Sequence, residues 1–86
     1  MNEIQIKSLI RLTNFKHYAD KVFDNPINTL DMIRKIADDY AIGIDYQAKL
    51  YDGGCFNSPE LMKEFDAVET QIGLYKLILA ELPKHL

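Results

Sequence analysis

The chain has 86 residues, of which 48% are apolar and 27% are charged, and its net charge is −3. A chain of this length forms one domain, and its apolar content excludes an intrinsically disordered protein. Acidic and basic residues are interspersed without a like-charge run, and the absence of a basic face argues against nucleic acid as a partner.

The single cysteine, Cys55, excludes an intramolecular disulfide bond and a multi-cysteine metal site. So little cysteine is typical of a reducing compartment, and we therefore expect a cytoplasmic location. Charged residues interrupt the apolar positions of the first twelve residues, which is not the pattern of a signal peptide. No stretch reaches the roughly 18 apolar residues of a membrane span, so we expect no membrane partner.

The first predicted helix runs from about residue 3 to residue 23. Asn2 can cap it, and Glu3 is favourable at the positive end of the helix dipole. Apolar residues recur along it at helical spacing. They are Ile6, Leu9, Leu12, Phe15, Ala19 and Val22. The alternation of Ile4 and Ile6 would also fit a short strand, but the chain offers no second strand to pair with it.

The second predicted helix runs from about residue 29 to residue 52, after a break that contains Pro26. Its apolar stripe consists of Leu30, Ile33, Ala37, Tyr40, Ile44, Ala48 and Tyr51. Three opposite-charge pairs at i,i+4 spacing are expected on its exposed face. They are Asp31 with Lys35, Arg34 with Asp38, and Asp45 with Lys49. Gly43 indicates either the close approach of another backbone or a local bend, and Gly53-Gly54 ends the helix.

The third predicted helix runs from about residue 59 to residue 82. Ser58 is its cap, Pro59 is suited to the first helical position, and Pro83 ends it. Its apolar residues follow one another at alternating spacings of four and three, which marks one continuous face. They are Leu61, Phe65, Val68, Ile72, Tyr75, Leu79 and Leu82.

Short connections between long helices predict an all-α fold, an elongated antiparallel three-helix bundle with up-down-up topology. Residues 1–86 form this single helical domain, and dimerisation is one way in which its core could be completed. The main variant has two long helices with the first helix displaced.

The sequence predicts no catalytic residue, no cofactor and no metal site, and hence a protein that is not an enzyme. Cys55 lies just before the third helix, where the helix dipole favours a thiolate. A nucleophile also needs a base within reach, yet the topology puts His17 about 20 Å away along the first helix and His85 at the opposite end. Neither a Glu-x-x-His motif nor a glycine-rich phosphate motif is present.

Apolar residues outside the main stripes are the strongest functional lead. Either the third helix of the bundle buries the apolar residues on both sides of each stripe within one chain, or some of these residues form a seam with another molecule. The residues predicted to contact a partner are Met32, Ile36, Tyr46, Leu50, Leu74, Leu77 and Ile78. Among the tyrosines, Tyr46 is the best candidate for a partner contact, because it lies outside the apolar stripe of the second helix.

These features predict a small intracellular, non-enzymatic protein-interaction module, a regulator or inhibitor that acts through an apolar face of the second and third helices. Its partner would be another protein or a second copy in a homodimer. One alternative is a nucleic-acid-associated protein that uses the basic residues of the first helix. These are Lys7, Arg11, Lys16 and Lys21. Another is an acidic inhibitor of nucleic-acid-handling machinery, which would use Glu60, Glu64, Asp66 and Glu69.

Overall fold

The computed structural model describes all 86 residues and contains helices without any strand, which confirms the predicted all-α helical bundle. The three α-helices are α1 (Glu3–Arg11), α2 (Pro26–Asp52) and α3 (Pro59–Glu81). Short 3-10 segments follow them at Lys16–Lys21, Cys55–Asn57 and Leu82–His85. None of the helices combines the length and the apolar character that crossing a bilayer requires.

The two long helices form an antiparallel hairpin whose ends are set by local capping. The Asn25 side chain accepts a hydrogen bond of 2.8 Å from the Asn28 amide at the start of α2. Ser58 accepts one of 3.3 Å from the Leu61 amide at the start of α3. Between them, Gly54 adopts a φ of +77°, a conformation that glycine takes without steric cost. The hairpin makes the molecule elongated, with a longest dimension of 46 Å.

The first predicted helix is divided in the structure, so the prediction of one helix over residues 3–23 is wrong. Helix α1 ends at Arg11, and the chain turns before the 3-10 segment at Lys16–Lys21. At the turn, the Thr13 hydroxyl donates to the Ile10 carbonyl at 2.7 Å and accepts from the Phe15 amide at 3.1 Å. These local bonds replace those that a continuing helix would make. The result resembles the variant with two long helices and a displaced first helix.

The hydrophobic core lies at the end of the hairpin that α1 covers. Its nine buried members are Ile6, Ile10, Ala19, Val22, Met32, Ile36, Tyr75, Ile78 and Leu82. We call residues 38–71 the distal hairpin; they comprise the second half of α2, the connecting turn and the first half of α3. Leu50 and Cys55 are the only two of the 14 buried residues that lie in this segment.

The buried face of α2 is not the predicted stripe. Thr29, Met32, Ile36 and Leu50 are buried, whereas most of the predicted stripe is exposed. Both sets are largely apolar and both contain intervals of three and four, so periodicity does not choose between them. Gly43 faces α3, where a Cβ atom would lie 3.4 Å from Ile72 Cγ1. It therefore provides close packing, against a side chain rather than a backbone.

The charge pairs expected on α2 form in part. Lys35 lies 2.7 Å from Asp31, and Lys49 lies 3.0 Å from Asp45. The predicted pair of Arg34 with Asp38 is absent, which leaves the Asp38 carboxylate without an ion-pair partner.

Candidate protein-interaction surface

Four of the seven residues predicted to contact a partner are buried within the chain, so their assignment to a surface is wrong. Met32 is 2% exposed, and Ile36 and Ile78 are completely buried. These three belong to the core that α1 and the first 3-10 segment close. Leu50 is 8% exposed and lies in the distal hairpin, where the 3-10 turn at Cys55–Asn57 packs against α2.

The other three predicted residues reach the surface but do not form one patch. Tyr46 and Leu77 are 41% and 40% exposed, and Leu74 is half-buried. The Tyr46 hydroxyl donates a hydrogen bond of 2.8 Å to Glu64 across the hairpin. Leu77 is thirteen residues beyond Glu64 on α3, about 20 Å along the helix axis. Tyr46 therefore belongs to the distal hairpin, whereas Leu77 lies at the end that α1 covers.

A side groove opens between α2 and α3 where α1 ends. It has a volume of about 270 Å³, and its apolar lining includes Ile42, Gly43, Tyr46 and Val68. In a bundle of three equally long helices, the first helix would occupy this position. Because α1 ends at Arg11, the groove stays open along the distal hairpin.

At the edge of the side groove nearest α1, polar side chains of α3 form hydrogen bonds with α2 and with the turn that follows α1. The Gln71 amide donates to the Leu12 carbonyl at 3.1 Å, and the Tyr75 hydroxyl donates to Asp39 at 2.6 Å. Burial of the phenol raises the pKa of Tyr75 above its usual value, and the hydrogen bond to Asp39 adds to the shift. The phenol therefore keeps its proton near neutral pH and donates it in the hydrogen bond to Asp39.

An aromatic cluster lies at the tip of the distal hairpin. The Tyr51 and Phe56 rings meet edge to face at 5.3 Å, and the Phe56 and Phe65 rings are 5.8 Å apart. Tyr51 is 61% exposed and Phe56 is 59% exposed. A shallow hollow of about 390 Å³ adjoins this cluster between Ile44 and Phe65. No large patch of core lies beneath these rings, so much of their apolar surface faces solvent.

Charge is segregated between the two ends of the molecule, contrary to the interspersed distribution expected from the sequence. Residues 38–70 contain eight Asp or Glu and only two Lys, a net charge of −6. The remaining residues contain eight Lys or Arg and five Asp or Glu, a net charge of +3. A count over a window of about thirty residues would have shown this asymmetry. The distal hairpin is therefore both the less buried and the more acidic end.

The basic and the acidic sets behind the alternative functions differ in their ion pairs, although Glu64 accepts a hydrogen bond from Tyr46 and Glu69 accepts one from Gln47. Arg11 is paired with Asp20 at 2.7 Å, and this contact lowers the pKa of Asp20. One of the four basic residues near the first helix is thus already neutralised. All four acidic residues proposed for the inhibitor alternative lie on the distal hairpin and are exposed. They are Glu60, Glu64, Asp66 and Glu69.

The structure gathers no group of three His, Cys, Asp or Glu side chains that could hold a metal ion. Cys55 is completely buried. Comparison with protein-family models, with curated proteins and with solved structures finds no match for this chain.

Proposed function

We propose that this chain is a small intracellular, non-enzymatic protein-interaction module that regulates or inhibits another protein by binding it through the distal hairpin. The observation that carries the proposal is the exposure of large apolar side chains on a segment with little core of its own. These side chains are Ile42, Ile44, Tyr46, Tyr51 and Phe56, which are 41% to 64% exposed.

Burial of this surface by a partner provides a driving force for binding. A large aromatic side chain can bury roughly 150–250 Å², at about 25 cal/mol per Å². Tyr51 and Phe56 keep more than half of their surface available for such contacts. Aromatic side chains are enriched in the cores of protein interfaces, where a few of them contribute most of the affinity.

The acidic character of the distal hairpin favours a partner with a basic surface. A net charge of −6 over residues 38–70 accelerates association with a positively charged patch and disfavours acidic proteins. The same asymmetry favours a second candidate, an acidic inhibitor of a protein that handles nucleic acid, since a surface that binds phosphate is basic. The alternative that uses the basic first helix gains no comparable support, because Arg11 is held by Asp20.

The proposal is tested by capturing binding proteins from a native lysate with the wild-type chain and with two variants. Tyr51→Ser combined with Phe56→Ser removes the exposed aromatic rings, and Ile4→Ser removes an exposed apolar side chain from α1. Ile4 is 74% exposed and lies outside the distal hairpin, which makes it a matched control. We expect a captured protein that the double variant loses and the Ile4 variant retains. Equal capture by all three proteins would contradict the proposal.

Light scattering on the purified chain distinguishes a foreign partner from self-association. A dimer that disappears in the Tyr51→Ser, Phe56→Ser variant would show that a second copy covers the aromatic cluster.

Double-stranded DNA added to the captured complex distinguishes the two candidate functions, the regulator of another protein and the acidic inhibitor of a protein that handles nucleic acid. Release of the partner by DNA supports the acidic inhibitor, and a stable complex supports a regulator that binds elsewhere.

A further inference from the structure

We propose that the outward face of α2 binds an amphipathic helix of another protein, one that carries a row of Lys or Arg beside its apolar residues. This inference rests on the proposed function and specifies the chemistry of the partner.

The outward face carries a regular row of residues that we call the outward seam. Its members are Ile27, Leu30, Arg34, Ala37, Ala41, Ile44, Ala48 and Tyr51. They follow one another at alternating intervals of three and four, and every one of them is exposed. This is the a/d spacing by which one helix packs along another. The seam spans about 36 Å, and Arg34 is its only charged member.

The shape of the outward seam suits a helix as its occupant. Ala37, Ala41 and Ala48 are small, so a second helix can approach α2 at the short end of the usual range of about 8–10 Å between axes. The hollow of about 390 Å³ between Ile44 and Phe65 opens beside the seam. A bulky apolar side chain of the partner helix fits there, in contact with the aromatic cluster.

A row of aspartates flanks the outward seam on one side. Asp31, Asp38, Asp45 and Asp52 are spaced seven residues apart, directly after the d positions of the seam, and all are exposed. Two of them are paired within α2, Asp31 with Lys35 and Asp45 with Lys49. Asp38 and Asp52 make no ion pair within the chain. These two carboxylates, fourteen residues apart, are thus available to a cation from outside.

The other flank of the outward seam carries no positive charge, which argues against a second copy of this chain as the occupant. Ile33, Tyr40 and Gln47 occupy that flank and carry no charge. In an antiparallel pair of α2 helices the aspartate rows would face one another and repel. In a parallel pair each row would face the neutral flank and find no cation. A foreign helix with Lys or Arg at intervals of seven residues satisfies both the apolar seam and the unpaired carboxylates.

Synthetic helical peptides that span the seam test the inference by fluorescence anisotropy. One peptide has Leu and Ala at its seam positions and Lys on both flanks, and a second replaces each Lys with Glu. A third has the composition of the first in scrambled order. We expect the Lys-flanked peptide to bind at least tenfold more tightly than the scrambled one, and the Glu-flanked peptide to show no binding. Equal binding of the first and third peptides, or no binding of the first, would overturn the inference.

Variants of the chain locate the bound peptide. Asp38→Asn with Asp52→Asn removes the two unpaired carboxylates, and we expect the dissociation constant of the Lys-flanked peptide to rise about threefold to tenfold, as for two exposed ion pairs. Ala37→Glu places a charge in the seam and should abolish binding. Ala80→Glu makes the same change at an exposed position of α3 and should leave binding unchanged. Retained binding by the Ala37 variant would refute the location.

The Ala37 variant also separates this inference from the proposed function, because Ala37 lies in the outward seam but outside the distal hairpin. Suppose that the captured partner is lost by the Tyr51→Ser, Phe56→Ser variant and kept by Ala37→Glu. The proposed function then stands, and the seam is not the binding site. If both variants keep the partner, the proposed function fails as well.

Discussion

Two neighbouring residues of α3, Leu77 and Ile78, provide the sharpest test of the fold. Both belong to the set that the sequence assigned to a partner-binding surface. In the structure Ile78 is completely buried in the core, whereas Leu77 is 40% exposed. The same truncation at adjacent positions should therefore have very different consequences for stability.

The expected magnitudes follow from burial. Truncating a fully buried isoleucine to alanine costs about 2–5 kcal/mol, because apolar contacts are lost and a cavity remains. For Leu77→Ala we expect a loss of about 1 kcal/mol or less, in line with a partly exposed position. A domain of this size has an unfolding free energy of about 4–13 kcal/mol in total. Ile78→Ala would therefore remove a large share of the stability of the protein.

Urea denaturation followed by far-ultraviolet circular dichroism measures both losses. At roughly 4–8 °C per kcal/mol for a domain of this size, Ile78→Ala should also lower the melting temperature by at least about 8 °C. If that variant does not fold, Ile78→Val should still cost about 0.5–1.5 kcal/mol. Equal losses at the two positions, or a larger loss for Leu77→Ala, would refute the burial of Ile78 in the core and the exposure of Leu77.

Three further predictions address the turn, the buried phenol and the distal hairpin. Gly54→Ala should lower the unfolding free energy by about 1–2 kcal/mol, because alanine pays a steric cost at a φ of +77°, and the same denaturation assay measures it. In an ultraviolet titration, Tyr75 should stay protonated after the exposed tyrosines ionise, because its pKa is raised by burial and by Asp39. Since the folded pKa lies above the unfolded one, the stability linked to this proton is complete below about pH 10 and is lost as the pH rises further. Native-state hydrogen exchange should be faster for residues 41–52 and 59–71 than for the α2 and α3 residues beside α1, because the distal hairpin buries only Leu50 and Cys55. Simultaneous titration of all tyrosines, or uniform protection along both long helices, would contradict the last two expectations.

The ends of α2 and α3 could be predicted closely from the sequence because short-range chemistry sets them. The predicted helix over residues 59–82 is Pro59–Glu81 in the structure, and the one over residues 29–52 is Pro26–Asp52. Ser58, Pro59 and the Gly53-Gly54 pair act within a few residues of the ends that they determine. The break expected at Pro26 is instead the first turn of α2, because the proline ring suits the first position of a helix that Asn25 caps.

The extent of α1 was harder to predict because a periodic row of apolar residues crosses its true end. Ala19 and Val22 are buried as a continuous helix would require, but the chain reaches them through a turn and a 3-10 segment. Leu12, which the stripe placed inside, is 64% exposed. The turn depends on the Thr13 hydroxyl bonding to its neighbours, and a lone threonine inside an apolar pattern gives little sign of such a role.

The sequence by itself determined that this protein is helical, where α3 begins and ends, where α2 ends, and that it carries more apolar surface than one helical seam can cover. Only the tertiary structure decided which apolar residues are inside. Met32, Ile36 and Ile78 are buried because α1 and the first 3-10 segment close the core around them, and the distal hairpin is open because α1 has only nine residues. Capping acts within one turn of a helix, whereas burial depends on which other element is long enough to reach a given face.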